Sequence, residues 1–215
     1  MRITLLCSDP LHPVNAYLDR WIQSNSHEHS ISLVRSKIDL PGGDVLFLIS
    51  CCEIIGESNR SKYRKVLVVH ASDLPKGRGW SPHIWQILDG KEQITVSLLE
   101  ADDKVDSGPI WKKMIIFIPK HMLWSEINHE LFNAEISLID FAVNQFDQVI
   151  PVQQDRNIES SYFSLRKPAD SKIDPNESIA NQFNQLRVCD PVRFPAYFEL
   201  YGFKYKLTLE KINTA

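Results

Sequence analysis

The sequence predicts an α/β fold with a central, mostly parallel sheet, followed by a small C-terminal α+β region that contains a β-hairpin. Three observations carry this reading. Short continuous apolar runs, the mark of strands buried on both faces, recur through the earlier part of the chain. Helical apolar spacing fills the gaps between them, and such strand–helix alternation is the pattern of an open α/β sheet. After about Ile150 the apolar residues thin out and the pattern changes.

Each element follows from its residues. Arg2–Cys7 is a short apolar run suited to a buried strand. Pro13 opens a helix with Val14, Tyr17, Leu18, Trp21 and Ile22 on one face. Ile31–Arg35 is a second strand. Val45–Ile49 (VLFLI) and Val66–His70 (VLVVH) are two more, the latter ending on a polar residue. The next helix is well punctuated: Ser81 is placed to cap it, Pro82 suits its first position and Gly90 stands just past its end. Ile94–Leu99 and Ile110–Ile118 read as strands. Trp124–Phe146 is the longest helical pattern, with Ile127, Leu131, Ala134, Leu138 and Phe141 in phase. In the tail, Asp155–Ser161 reads as a loop, Phe163–Arg166 as a strand and Ser178–Arg187 as a short helix. Tyr197–Leu209 reads as a hairpin turning near Tyr201 and Gly202. These divisions place one domain over residues 1–150 and a small subdomain over 151–215.

Composition narrows the function. The chain has 215 residues, a net charge of −3 and 43% hydrophobic residues, enough for one sizeable core. No apolar run approaches the ~18–20 residues of a membrane helix. The start, MRITLLCSDP, is charged early and makes a poor signal peptide. Without a basic excess, nucleic acid is not the expected partner. Cys7, Cys51, Cys52 and Cys189 form no CxxC pair and no disulfide framework, so a reducing cytoplasm is expected. His27 and His29 read as a surface loop, and no metal is expected.

The most informative stretch is His70–Pro82, HASDLPKGRGWSP. A histidine stands at the carboxyl end of a buried strand, where open α/β sheets bind ligands, and histidine is the side chain type suited to exchanging protons there. The loop after it interleaves Gly77 and Gly79 with Lys76 and Arg78, which suits close backbone approach to an anionic group such as a phosphate. Trp80 and Trp85 read first as packing residues. Further on, the polar loop EADDKVD leads into Asp106-Ser107-Gly108, where a carboxylate can orient an imidazole or take a proton from an amine. No activating histidine is evident for Cys51 or Cys52, so catalytic thiols are not expected.

Here the sequence resembles the formyltransferases that use N10-formyltetrahydrofolate. That family carries Asn-x-His, then x-Ser-x-Leu-Pro and a glycine-rich loop, then Asp-x-Gly about 36 residues after the histidine. His70, Ser72, Leu74 and Pro75 match, and Asp106 follows His70 by 36 positions. The likeness covers most of residues 45–115, and the tail is similar to that of sugar N-formyltransferases. The loop with Lys76 and Trp80 is most similar to enzymes that formylate a 4-amino sugar on a UDP carrier, including those of pseudaminic acid synthesis.

The resemblance implies a Rossmann-like formyltransferase fold. It implies His70 and Asp106 as the catalytic pair and N10-formyltetrahydrofolate as co-substrate. It puts the pterin between Cys52, Glu53, Ile54 and Ile55 on one side and the loop with Ala101 and Asp103 on the other. Acceptor contacts fall on Ser72, Lys76, Gly77, Arg78, Gly79 and Trp80. The expected partner is a small nucleotide-sugar, with no nucleic acid and no membrane; a homo-oligomer is compatible. Methionyl-tRNA is a disfavoured acceptor, because enzymes of that type carry a further, usually basic, C-terminal domain. Glycinamide ribonucleotide fits the loop and tail less well. One position departs: the family's asparagine is Val68, on the same strand face as His70. Valine donates nothing, and losing one oxyanion donor costs ~10²–10³-fold in rate. Either Asn59, Ser72 or another group substitutes, or the chain is a non-catalytic folate- or nucleotide-sugar-binding relative.

Overall fold

The computed structural model describes residues 1–212. Its centre is a sheet of six strands in the order β2-β1-β3-β4-β6-β7. β1 (Arg2–Leu6), β2 (Ser30–Val34), β3 (Gly43–Leu48) and β4 (Tyr63–His70) run parallel to one another. β6 (Gln93–Glu100) and β7 (Ile110–Phe117) are antiparallel additions beside β4. The parallel strands need crossovers: α1 (Asn15–Asn25) joins β1 to β2, a 3₁₀ turn at Lys37–Asp39 lies between β2 and β3, and α2 (Glu57–Arg60) joins β3 to β4. β2 and β3 leave β1 on opposite sides, so the strand order reverses there and opens a crevice at the carboxyl ends.

The main core lies on one sheet face. Leu5, Phe47, Leu67 and Val96 meet Leu18 and Trp21 of α1 and Leu131, Leu138 and Ala142 of α4 (Trp124–Asn144). Glu126 accepts a 2.8 Å hydrogen bond from the Leu123 N–H and so satisfies an open donor at the start of α4. A smaller cluster on the other face holds Leu6, Leu46, Leu48, Ile55, Tyr63 and Val66.

α3 (Pro82–Leu88) begins at the expected proline, but Ser81 does not cap it with its side chain. Ser81 takes a left-handed backbone (φ 45°), and its carbonyl accepts from the Ile84 N–H at 3.0 Å. The tail also departs in detail. The expected strand Phe163–Arg166 is β8 (Tyr162–Phe163), which pairs in parallel with β5 (Arg78–Gly79) inside the glycine loop. Pro168 turns the chain soon afterwards into a 3₁₀ turn over Pro168–Ser171. The expected helix Ser178–Arg187 contracts to α5 (Phe183–Arg187). Before it, polar side chains compete for the backbone: Asp174 accepts from Asn176 N–H at 2.9 Å and Ser178 Oγ from Asn181 N–H at 3.2 Å. The hairpin is β9 (Ala196–Leu200) with β10 (Phe203–Leu207), turning at Tyr201 and Gly202. Among the described residues no helix is long and apolar enough to cross a membrane.

Candidate functional site

His70 ends β4, where Ser97 of β6 stands opposite it. Ser97 Oγ donates to the Ser72 carbonyl at 2.7 Å and fixes the turn after the histidine. The loop then folds back, so that His70 Nε2 lies 2.8 Å from the Gly77 carbonyl. A carbonyl only accepts, so Nε2 carries the proton. The other nitrogen, Nδ1, faces Asp106 Oδ2 at 3.6 Å, within ion-pair reach but longer than a hydrogen bond. The two side chains are 7% and 8% exposed, so their interaction is weakly screened by water.

Asp106 is held in a costly conformation. Its φ is 53°, in the left-handed region that residues with a Cβ avoid. Its Oδ2 accepts from the Gly79 N–H at 2.9 Å, which ties the carboxylate loop to the glycine loop. Glycine is required on both sides of this join. A Cβ on Gly79, already at φ 95°, would press on the Phe163 carbonyl, and one on Gly108 would collide with the Glu100 backbone.

The residues expected to meet an acceptor divide by position. Lys76 is exposed, beside an open hollow of about 530 Å³ that Ile158, Glu159, Ser160 and Ser161 also line. Trp80 is 39% exposed. Arg78 is engaged within the protein: its Nη2 donates to Gln154 Oε1 at 2.8 Å and its Nη1 to Tyr162 Oη at 3.2 Å. Ser72 is 1% exposed and lies directly beneath Gly77. Its hydroxyl has no hydrogen-bond partner among the described residues. Asn59 lies in α2, which leads into the start of β4, the end opposite His70. Val68 packs with Val34, Cys51 and Ala101 against the smaller apolar cluster.

The segments expected to border the pterin do come together. Arg60 of α2 donates to the Ile55 carbonyl at 2.9 Å and pairs with the Asp103 carboxylate, so one guanidinium joins both loops. The Ala101 N–H bonds the Val66 carbonyl at 2.8 Å. Cys52 is exposed and its N–H bonds Ser8 Oγ at 3.0 Å. The Glu53 carboxylate takes the Lys37 N–H at 2.6 Å. Ile54 is exposed and Ile55 buried. Burial pushes the Cys51 thiol up, away from thiolate reactivity. Burial also drives His83 of α3 down to about 3, so it stays neutral.

Sequence reasoning missed the C-terminal arm. Gln154, Ser161, Tyr162 and Phe163 all grip the glycine loop: Ser161 Oγ accepts from the Gly77 N–H at 2.9 Å, and Trp85 stacks on Phe163 at 6.3 Å. No periodicity marks these residues. Arg60 was missed for the same reason.

Fold and site together define an open α/β domain with a buried histidine–carboxylate pair at the carboxyl end of its sheet. The chain belongs to the formyl transferase family, whose profile matches residues 22–140, a span that includes His70 and Asp106. A methionyl-tRNA formyltransferase from Natranaerobius thermophilus is 29% identical over 155 residues, covering 70% of this chain and 49% of the relative. The chain spans about half the length of the curated relatives it matches. Among solved structures, a methionyl-tRNA formyltransferase from Clostridium thermocellum has a TM-score of 0.84 at 18% identity, covering 99% of this chain and 94% of that one. HypX from Aquifex aeolicus in complex with tetrahydrofolic acid gives 0.76 at 19% identity, covering 97% and 37% of the two chains. A sugar N-formyltransferase from Shewanella sp FDAARGOS_354 gives 0.73 at 14% identity, covering 100% and 99%. At these identities the likeness to solved structures is one of fold.

Proposed function

We propose that this protein transfers a formyl group from N10-formyltetrahydrofolate to the primary amine of a nucleotide-linked 4-amino deoxysugar. The observation that carries the reading is the buried pair itself: His70 Nδ1 at 3.6 Å from Asp106, beneath the loop of Lys76–Trp80. The co-substrate supplies the formyl carbon. The segment Cys52–Ile55 and the loop with Ala101 and Asp103, joined by Arg60, would border its pterin.

The residues then divide the work. The acceptor amine arrives neutral and bonds to the formyl carbon, leaving negative charge on the formyl oxygen. The His70 Nε2–H, which bonds the Gly77 carbonyl here, is the donor that this oxygen takes over. Asp106 faces the imidazole at Nδ1 and accepts the proton that the amine sheds, directly or through water. The bond from carbon to N10 breaks, and the nitrogen leaves with a proton. The unpartnered Ser72 hydroxyl beneath Gly77 is the candidate for the donor that Val68 does not provide.

Two things support the sugar acceptor. Lys76 is exposed beside an open hollow and suits a diphosphate. Its net charge of −3 gives little to hold a polyanion. The names of the curated relatives favour a second reading, methionyl-tRNA as acceptor.

Purified protein with N10-formyltetrahydrofolate and, separately, a UDP-4-amino deoxysugar, methionyl-tRNA or glycinamide ribonucleotide separates these, with the product weighed by mass spectrometry. Formylated sugar nucleotide is expected. His70→Asn should lower turnover ~10²-fold or more while folate still binds, because the imidazole acts mainly in the transition state. Product from methionyl-tRNA alone would overturn the acceptor. Full activity in His70→Asn would overturn the mechanism.

A further inference from the structure

We infer that Gln154 is a positioning residue that holds Asp106 against His70 and couples the carboxylate loop to the acceptor loop. The kinetic part of this inference rests on the formyl-transfer reading; the geometric part does not.

Gln154 is planted by its backbone neighbour. Val152 forms a two-way bridge with Ile110 at the start of β7, at 2.7 and 2.8 Å. This brings the Gln154 side chain, 9% exposed, under the Asp106 loop. Its amide nitrogen donates to the carbonyls of Asp106 at 2.8 Å and Gly108 at 3.0 Å. Its amide oxygen accepts from Arg78 Nη2 at 2.8 Å. The partners fix which end is which: carbonyls only accept and a guanidinium only donates.

These contacts differ from ordinary satisfaction of a buried amide. One bond goes to the backbone of Asp106 itself, whose left-handed φ of 53° persists only where the surroundings enforce it. Gly79 grips the carboxylate from the other side. Gln154 therefore holds Asp106 by its backbone, and by the same amide it holds the one guanidinium of the glycine loop.

The two ends of the amide can be separated by mutation. In Gln154→Glu the shape stays and the Arg78 contact survives as an ion pair, but the donor to Asp106 and Gly108 becomes an acceptor. In Gln154→Met all three bonds are lost at nearly constant size. Both variants are made in the full chain, beside Asp106→Asn. The first readout needs no turnover: ¹⁵N and ¹³C resonances of the His70 ring. Both Gln154 variants should move them in the direction that Asp106→Asn does, while backbone amide signals remote from the site stay in place. The second readout is steady-state kinetics with the UDP-4-amino sugar. Gln154→Glu should lower kcat about tenfold or more with the acceptor KM unchanged. Gln154→Met should lower kcat similarly and also raise KM.

His70 resonances that stay put in Gln154→Glu, while Asp106→Asn moves them, would overturn the inference. So would parallel changes in kcat and KM for both variants, the mark of a merely structural role. If Gln154→Met fails to fold, Gln154→Glu decides alone. Wild-type protein without turnover, but with the expected His70 shifts, would sink the formyl-transfer reading and uphold the positioning role.

Discussion

Replacing Val68 with asparagine restores the residue that the resemblance expects and tests whether this site has been rearranged. Val68 pairs with Leu48 and Leu99 in the sheet and packs with Val34, Cys51 and Ala101 against an apolar cluster. Val68 is only partly buried, so asparagine there removes methyl surface at a cost of about 1 kcal/mol. It also brings a carboxamide into an apolar surrounding, at ~1–3 kcal/mol where no partner is met. The expected loss of stability is therefore about 2–4 kcal/mol, read from urea unfolding midpoints of the two proteins. Turnover with the same acceptor, measured well below the unfolding transition, should stay level or fall. The reasoning fails if Val68→Asn raises turnover more than about tenfold, because the missing donor would then be the defect and the natural protein an impaired relative. It fails in another way if stability is unchanged, because the amide would then have found partners among Val34, Cys51 and Ala101 where only apolar surface is expected.

Two further predictions test other parts of the molecule. Glu135 of α4 is 7% exposed, and burial pushes its carboxyl up to about 8 from an ordinary 4.5. The folded protein thus keeps a proton that the unfolded chain has released, so this stability is fully present below pH 4.5 and is lost as pH rises towards 8. Glu135→Gln removes the penalty, and its advantage over wild type should grow by roughly 3–5 kcal/mol between pH 4.5 and pH 8 in urea unfolding; parallel stability curves would refute this. Lys76→Ala should raise the KM for the sugar nucleotide about tenfold with little change in kcat, because the exposed cation binds without touching the reacting atoms. Equal KM values would remove Lys76 from the acceptor site.

How much of this protein was legible in its sequence depends on how local each cause is. Strands such as VLFLI and VLVVH declare themselves by continuous apolar runs, and Trp124–Asn144 by its apolar period, because burial of a face acts on neighbouring residues. The pairing of His70 with Asp106 was also legible, but only as a known spacing; nothing local in the chain says that a loop will return to the end of β4. What the tertiary structure alone decided is the set of contacts made across long stretches of chain. Ser81 looks like a cap and is instead bent into a left-handed turn. Arg78 looks like a free cation and is held by Gln154 and Tyr162, 76 and 84 positions away. Ser72 reads as an acceptor contact and lies sealed beneath Gly77. Polarity and periodicity report whether a residue prefers water, whereas a hydrogen bond between distant segments depends on where the sheet and its bridges put their backbones. The Val152–Ile110 bridge is such a case: it brings an unremarked glutamine to the backbone of Asp106.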